Sequence, residues 1–278
     1  MGEQQPIAAV AVLAAFLVCV AAPVHAVQGT ASSANVWRLD SAFFRQAGSD
    51  FENILTSPGR WGRSDWTAFA AVAGAGALLF AFDRGIFDWV QDRKTAASMD
   101  ASSVISKFGN GGYLAGLMAA LYVSGEIWDE RSLRRTALLS LESFVATSSL
   151  VWAGKIIAGR ARPFTGEGPG RFHPLSIENG HHSLPSGDAA GAFAVASVIA
   201  AESEVFWVDA VAYGLAGLAA VWRVHDRKHW PSDVFLGSAL GYVVGRKVAS
   251  LHRQNDEALH VSLEADPHRQ ALTLRFSF

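Results

Sequence analysis

Six apolar segments follow residue 65 and restrict the folds that this chain can adopt. They cover about 66–82, 111–128, 136–154, 188–201, 205–222 and 234–249. Each is close to the shortest helix that crosses a bilayer, since roughly 20 residues are needed to span about 30 Å of hydrocarbon. Tryptophans lie near the segment ends, where the membrane–water interface favours aromatic rings. We therefore predict an all-α fold, a six-helix membrane bundle. A soluble bundle with buried helices is the alternative.

Composition supports a membrane protein and argues against a nucleic-acid partner. Hydrophobic residues make up 50% of the 278 residues, 17% are charged, and the net charge is -2. A chain with this balance has no basic field with which to hold nucleic acid. The only cysteine, Cys19, lies in an N-terminal apolar run, so the sequence offers neither a disulfide nor a thiolate metal site.

The two ends of the chain differ from this central helical region, which we place at 65–249. Residues 7–22 are apolar and precede Val24-His25-Ala26, which resembles a signal-peptide cleavage site. Because the start carries Glu3 and no Lys or Arg, we interpret residues 1–26 as a signal peptide or an N-terminal anchor. Residues 27–64 are predicted to be an amphipathic lead-in. Residues 250–278 alternate at period two and predict a short C-terminal β-hairpin-like tail.

The stretch before the last apolar segment concentrates polar chemistry. Pro231 suits the first position of a helix, which makes Trp230 the N-cap and puts Asp233 in the first turn. We expect Asp233 to contact the His229 ring, since a carboxylate on one ring nitrogen fixes the tautomer and leaves the other nitrogen free to attack. Arg223, from the preceding helix, could offer its planar guanidinium to a phosphate.

A second set of polar residues flanks the loop between the third and fourth segments. Lys155 and Arg162 lie about two helical turns apart, and Pro163 is expected to end that helix. Ser186 is predicted to be the N-cap of the fourth segment, where its hydroxyl and the free amides from Gly187 onward make an anion site. Taken singly, such residues are more typical of snorkelling cations and ordinary caps than of ligands.

Taken together, these residues resemble the signature of the type-2 phosphatidic acid phosphatase and vanadium haloperoxidase superfamily. The signature is Lys, six residues, Arg-Pro; then Pro-Ser-Gly-His; then Ser-Arg, five residues, His, three residues, Asp. This chain matches it at Lys155, Arg162-Pro163, Pro185-Ser186-Gly187, Arg223, His229 and Asp233. Three separate motifs in the right order are a stronger signal than any one of them. The chain departs from the signature at Trp222, in place of serine, and at Asp188, in place of histidine.

The resemblance implies a metal-independent phosphatase without a cofactor, acting on a lipid phosphate or diphosphate monoester. His229 would form a phosphohistidine, with Asp233 orienting its ring. The phosphate-binding residues of the family correspond to Lys155, Arg162, Ser186, Gly187 and Arg223. Asp188 would protonate the leaving alkoxide, a task to which a free aspartate, ionised at neutral pH, is poorly suited.

Two other functions fit the same residues. A vanadate-dependent haloperoxidase-like enzyme is disfavoured, because halide oxidation would need the histidine that Asp188 replaces. A catalytically weakened membrane protein that binds phospholipid is supported by the same replacement. The loop at 164–183, which contains Arg171, His173, His181 and His182, is the predicted place of head-group recognition.

The distribution of positive charge predicts the orientation in the membrane. One side of the predicted bundle carries Arg38, Arg45, Arg60, Arg63, Arg131, Arg134, Arg135, Arg246 and Lys247. The positive-inside rule assigns this side to the cytoplasm. For a Gram-negative source, we therefore predict an inner-membrane protein of the bacterial cell envelope with its site facing the periplasm. An exported periplasmic protein is the alternative.

Overall fold

The structure is a computed structural model that describes residues 37–203, 205–259, 263–266 and 271–274. The predicted signal peptide or anchor at 1–26 lies outside these residues. Eight α-helices are described: α1 Ser41–Thr56, α2 Arg63–Asp92, α3 Ala96–Ile105, α4 Gly111–Ile127, α5 Arg131–Ala158, α6 Gly187–Ser203, α7 Phe206–His225 and α8 Pro231–Leu259. Strands β1 Leu263–Asp266 and β2 Ala271–Leu274 pair antiparallel.

The predicted count of six helices was too low. The six apolar segments fall within α2 and α4 to α8, and the additional helices are α1 and α3. At the start of α1, the Asp40 carboxylate accepts hydrogen bonds from the Ala42 and Phe43 amides at 2.9 and 3.0 Å. Only one stripe of α1, including Phe43 and Ile54, is buried. Such a helix has no continuous apolar run, which is why hydropathy alone does not reveal it.

Three of these helices are long and apolar enough to cross a membrane: α2, α5 and residues Pro231–Arg253 of α8. Only 6% of the most apolar window of α2 is buried within the chain. Its large side chains, among them Phe69, Leu78 and Phe82, therefore point away from the bundle. A helix that exposes this much apolar surface needs an apolar environment, and a lipid bilayer provides one.

Helices α6 and α8 approach each other so closely that only glycine fits between them. A Cβ added to Gly241 would lie 2.0 Å from the Ala190 carbonyl oxygen, and one on Gly237 would lie 2.4 Å from that of Ser186. Small residues allow helix backbones to approach in this way. The contact brings the start of α8, and the loop before it, against the start of α6. The residues that precede these two helices are thus held together.

We expect Gly241→Ala to destabilise the bundle by about 1–3 kcal/mol, the usual cost of overpacking. The new methyl group would meet the Ala190 backbone, which cannot turn away as a side chain can. Gly214→Ala in α7 is a matched control, since a Cβ there has nothing within 4 Å. That variant should be neutral or more stable by about 0.5–1 kcal/mol. Thermal unfolding in detergent measures both, and equal stability of the two variants would contradict this packing.

Candidate active site

The loop between α5 and α6 folds back over one end of the bundle. Helix α5 ends at Gly159, whose φ of 59° is left-handed, and a Cβ there would lie 1.7 Å from the His173 carbonyl oxygen. Glycine is the residue that tolerates both conditions. Backbone hydrogen bonds then fix the loop: His173 donates to the Gly159 carbonyl at 2.7 Å, and Ser183 donates to that of Arg160 at 2.9 Å. The segment that leads to α6 is therefore tied to the end of α5.

His229 lies in the loop between α7 and α8, and only 2% of its surface is exposed. Its Nδ1 is 2.7 Å from the carbonyl oxygen of Ser183. A carbonyl oxygen can only accept a hydrogen bond, so Nδ1 must carry the proton. In the neutral ring, Nε2 then holds the free electron pair. The structure therefore assigns Nε2 as the nitrogen that can attack an electrophile.

The predicted contact between Asp233 and the His229 ring is wrong. Asp233 Oδ1 pairs with Arg160 at 2.5 Å, while Oδ2 accepts from the Ser183 hydroxyl at 2.5 Å and from the Trp230 amide at 2.9 Å. Asp233 is the third residue of α8, so its bond to the Trp230 amide is half of a capping box, with Trp230 as the predicted N-cap. Asp233 acts on His229 indirectly, because it fixes Ser183, whose carbonyl holds the ring.

Arg160 is an important residue that the sequence reasoning missed. Its side chain is fully buried, and its guanidinium lies between Asp83 of α2 at 2.6 Å and Asp233 at 2.5 Å. It also donates to Ser232 Oγ at 2.8 Å and to the Pro169 carbonyl at 2.9 Å. Asp83 could have indicated such a residue, because an acidic side chain at the end of an apolar segment is usually paired with a buried cation. Arg160 joins α2, the loop and α8.

Ser186 is the N-cap of α6, as predicted. Its hydroxyl accepts from the Ala189 amide at 3.4 Å, and its carbonyl accepts the first helical bond from Ala190 at 3.0 Å. Its own amide donates to the Asp233 carbonyl at 3.0 Å, which ties the start of α6 to that of α8. A Cβ on Gly187 would lie 3.7 Å from Lys155 Cε. The positive end of α6 and the lysine are thus neighbours, an arrangement that favours an anion.

The three predicted cations gather around His229. Lys155 Nζ and Arg162 Nε both donate to the carbonyl of His182, at 2.6 and 3.3 Å. Burial, followed by the charges of Lys155, Arg162 and Arg223, holds the pKa of His229 well below its usual value. Burial and the nearby Arg223 also lower the pKa of Arg162. The imidazole is therefore unprotonated at neutral pH, in a positive field suited to a phosphoryl group.

Asp188 and Arg223 form an ion pair, although the family resemblance implied different roles for them. Asp188 Oδ2 lies 2.9 Å from Arg223 Nε, and the two side chains are 28% and 13% exposed. The carboxylate therefore neutralises part of the positive charge around His229. The ion pair also places Asp188 beside the candidate anion site, in the first turn of α6 and two residues after Ser186.

A buried neutral histidine beside three cations and a helix N-terminus is an arrangement suited to binding a phosphoryl group. Residues 136–257, which contain all of these side chains, match the family model of the PAP2 superfamily. This part of the chain is therefore similar to proteins of that superfamily.

Known proteins similar to this chain are phosphatases and membrane proteins of the same fold. Lipid A 1-phosphatase of Porphyromonas gingivalis is 32% identical over 149 residues, which are 52% of this chain and 31% of that protein. The chain thus spans less than a third of that relative's length. The crystal structure of Aquifex aeolicus LpxE matches with a TM-score of 0.51 and 22% identity, over 61% of this chain and 95% of the other.

A second solved structure has the same fold. It is the first transmembrane PAP2-type phosphatidylglycerolphosphate phosphatase from Bacillus subtilis, with a TM-score of 0.51 and 20% identity, over 77% of this chain and 95% of the other. At such identities the two structures establish the fold. Together with the apolar helices, they support a membrane location.

Proposed function

We propose that this chain is a metal-independent phosphatase that hydrolyses a lipid phosphate or diphosphate monoester through a phosphohistidine on His229. The observation that carries the proposal is the state of the His229 ring. The ring is buried and neutral, and its Nδ1–H donates a hydrogen bond to the Ser183 carbonyl. Nε2 therefore carries the free electron pair and is the nucleophile. The outward apolar surface of α2 and the lipid phosphatases among the similar proteins support a lipid substrate.

The reaction has two steps. In the first, Nε2 attacks phosphorus, the N–P bond forms, and the bond to the lipid oxygen breaks. In the second, water attacks phosphorus, the N–P bond breaks, and the imidazole and phosphate are freed, while the Asp188 carboxylate, which lost its proton to the leaving alkoxide, takes up a proton from the water. The charge that spreads over the phosphoryl oxygens in both transition states is stabilised by Lys155, Arg162, Arg223, Ser186 and the Gly187 amide. These fixed positive groups take the place of a metal ion.

The activity itself is tested by measuring phosphate release from a panel of lipid phosphates and diphosphates, with and without vanadate. A phosphatase of this kind should release phosphate and be inhibited by vanadate, which occupies a phosphate site. Vanadate-dependent halide oxidation would instead identify a haloperoxidase-like enzyme. Binding of phospholipid without release would identify a weakened, non-catalytic protein, an alternative whose best support is Asp188 in place of the family's histidine.

Asp188 is the residue that we assign to protonation of the leaving alkoxide. Its carboxylate reaches Arg223, so it faces the position where the substrate phosphate must lie. An incoming phosphate competes for the same guanidinium, since an arginine fork binds phosphate and carboxylate alike. We propose that substrate takes over Arg223, which frees Asp188 to deliver its proton.

We expect Asp188→Asn to lower kcat by roughly 10²-fold, the usual scale for a positioned acid, and to lower KM because Arg223 is released. Wild-type activity should rise toward acidic pH, because the leaving group needs a protonated acid while His229, with its depressed pKa, is still neutral. Asp188→His should move the optimum toward neutrality, since imidazole titrates near 6.5. A pH–rate profile of Asp188→Asn identical to that of the wild type would remove Asp188 from the mechanism. His181 or His182 would then be the alternative acid, which the profile of His182→Ala tests.

We further propose that the site faces the periplasm of a Gram-negative cell envelope, in line with the excess of Arg and Lys at the opposite end of the bundle. Ile177, in the loop over the site, is 84% exposed and suits a labelling test. In a Cys19→Ser background, Ile177→Cys should react with a membrane-impermeant thiol reagent once the outer membrane is permeabilised. Reaction that occurs only after complete lysis would place the site in the cytoplasm.

A further inference from the structure

Lys228 is a cation at the rim of the active site that the mechanism proposed above does not use. It directly precedes His229, and its side chain is exposed. Its amide donates to the Arg223 carbonyl at 3.0 Å, and the same carbonyl accepts from the His229 amide at 3.3 Å. The backbone of Lys228 is therefore fixed relative to two residues of the active site.

The ring of Phe164 connects Lys228 to the phosphate-binding cations. Lys228 Nζ lies 5.4 Å from the centre of this ring, and Arg162 Cζ lies 5.9 Å from the same centre. A short turn holds the ring, because the amide and the hydroxyl of Thr165 both donate to the Arg162 carbonyl, at 3.1 and 2.8 Å. Phe164 thus joins the two loops of the active site. A second charged group within reach of this ring would meet the Lys228 ammonium.

No carboxylate neutralises Lys228 within the part of the chain that the structure describes. The acidic residue of the same loop, Asp226, is engaged elsewhere, since its Oδ1 accepts from the Ser102 hydroxyl at 2.5 Å and lies 3.0 Å from His225 Nδ1. The contact of Lys228 with Phe164 is an exposed cation–π contact, which is weak beside a charge-assisted hydrogen bond to phosphate. Lys228 is therefore available to an anionic ligand.

The leaving group gives an independent reason to expect a second phosphate. When a lipid monophosphate is hydrolysed, the leaving group is an alkoxide, a strong base that needs a proton from a general acid. The candidate acid here is Asp188, and aspartate is a poor proton donor at neutral pH. When a lipid diphosphate is attacked at its terminal phosphorus, the leaving group is a phosphate, whose second pKa of about 6 makes it a far weaker base. The first step then makes little demand on Asp188.

We propose that Lys228 and Phe164 form a subsite for a second phosphate group of the lipid substrate, beside the phosphoryl group that His229 attacks. The ligand class is a lipid diphosphate. His229 Nε2 bonds to the terminal phosphorus, the bond between that phosphorus and the bridging oxygen breaks, and the lipid monophosphate leaves with the electron pair of that bond. The Lys228 ammonium offsets the negative charge that the leaving phosphate gains. This inference rests on the proposed phosphatase function and narrows its substrate class.

Binding without turnover separates the subsite from the phosphatase activity. The full chain, purified in detergent as the His229→Ala variant, is titrated by calorimetry with methylphosphonate and with methylenediphosphonate. The diphosphonate should bind at least about tenfold more tightly, and Lys228→Gln in the same background should remove most of that preference, since a hydrogen bond to a charged group contributes about that much affinity. Binding of neither ligand would overturn the proposed function together with the subsite. Binding of both, with an unchanged preference in Lys228→Gln, would overturn the subsite alone.

Turnover identifies which phosphate occupies the subsite. Three substrates with the same acyl chains are compared: phosphatidate, diacylglycerol diphosphate, and phosphatidylglycerophosphate, in which glycerol separates the two phosphates. Lys228→Gln should raise KM for the diphosphate about tenfold and leave KM for phosphatidate within about twofold. Phe164→Leu, which removes the ring beside the ammonium, should act in the same direction. A rise confined to phosphatidylglycerophosphate would overturn the assignment of a diphosphate, and equal rises for all three substrates would overturn the subsite.

Arg227→Gln is the matched control for Lys228→Gln. Arg227 is the neighbouring residue, and its side chain is also exposed. It lies near Lys94, whose pKa is lowered mainly by burial and further by the charge of Arg227. Arg227→Gln should therefore leave the preference for the diphosphonate unchanged. An equal loss of preference in Arg227→Gln and Lys228→Gln would show a general attraction between charges and would overturn the subsite.

Discussion

His229→Ala should reduce turnover on the order of 10⁶-fold, the scale observed when the nucleophile of a catalytic triad is removed. The variant keeps the cations and the helix N-terminus, so it should still bind the phosphate of its substrate. Its fold should survive, because His229 lies in a loop and the loss of its bond to the buried Ser183 carbonyl costs about 1–3 kcal/mol, less than the stability of a typical domain. Phosphate release in single-turnover experiments gives the rate, and circular dichroism reports the fold.

His225→Ala is a matched control for this prediction. His225 lies at the end of α7 and pairs with Ser98 at 3.1 Å and Asp226 at 3.0 Å, with no bond to the residues around Ser183. Its loss should change turnover by no more than a few-fold. If His229→Ala and His225→Ala were equally active, His229 would not be the nucleophile.

Arg160→Met should destabilise the protein by about 3–5 kcal/mol, the cost of leaving one side of a buried ion pair uncompensated. Both Asp83 and Asp233 are fully buried and share this guanidinium. Methionine fills much of the same volume, so the loss of stability reports the charge rather than a cavity. Activity should fall as well, because Asp233 holds Ser183 and thereby His229. Thermal unfolding in detergent, together with turnover below the unfolding temperature, separates the two effects.

The control for Arg160 is Arg171→Met. Arg171 lies in the same loop, its side chain is exposed, and an exposed arginine contributes little to stability. This variant should unfold within about 0.5 kcal/mol of the wild type. An Arg160→Met protein as stable as Arg171→Met would show that Asp83 and Asp233 do not depend on the guanidinium.

Hydropathy located the six helices that contain a continuous apolar run, but it did not locate their ends. The first apolar segment was predicted to stop at residue 82, whereas α2 continues to Asp92. The charge of Asp83 appeared to end the apolar run, but Arg160 neutralises it from 77 residues away in the chain. No local pattern contains that information. Helix α1 lies within the amphipathic lead-in predicted at 27–64, whereas α3, which buries none of its side chains, was not predicted.

The site residues could be predicted because spaced motifs carry them, while their partners could not. Lys155, Arg162 and Arg223 do surround His229. The error concerned Asp233, which lies close to His229 in sequence but bonds to Arg160 and Ser183, 73 and 50 residues away. The short spacing between Asp233 and His229 favoured a direct contact between the carboxylate and the imidazole. In the folded loop, the Ser183 carbonyl binds the imidazole instead.

The proposal that His229 is the nucleophile is tested most directly by trapping the phosphorylated enzyme. Rapid quenching with labelled substrate, followed by peptide mapping, should give an acid-labile phosphoryl group on His229. Because Nδ1 is bonded to the Ser183 carbonyl, the phosphoryl group should be on Nε2, which phosphorus magnetic resonance distinguishes from Nδ1. An acid-stable adduct on another residue, or an adduct that persists in His229→Ala, would contradict the mechanism.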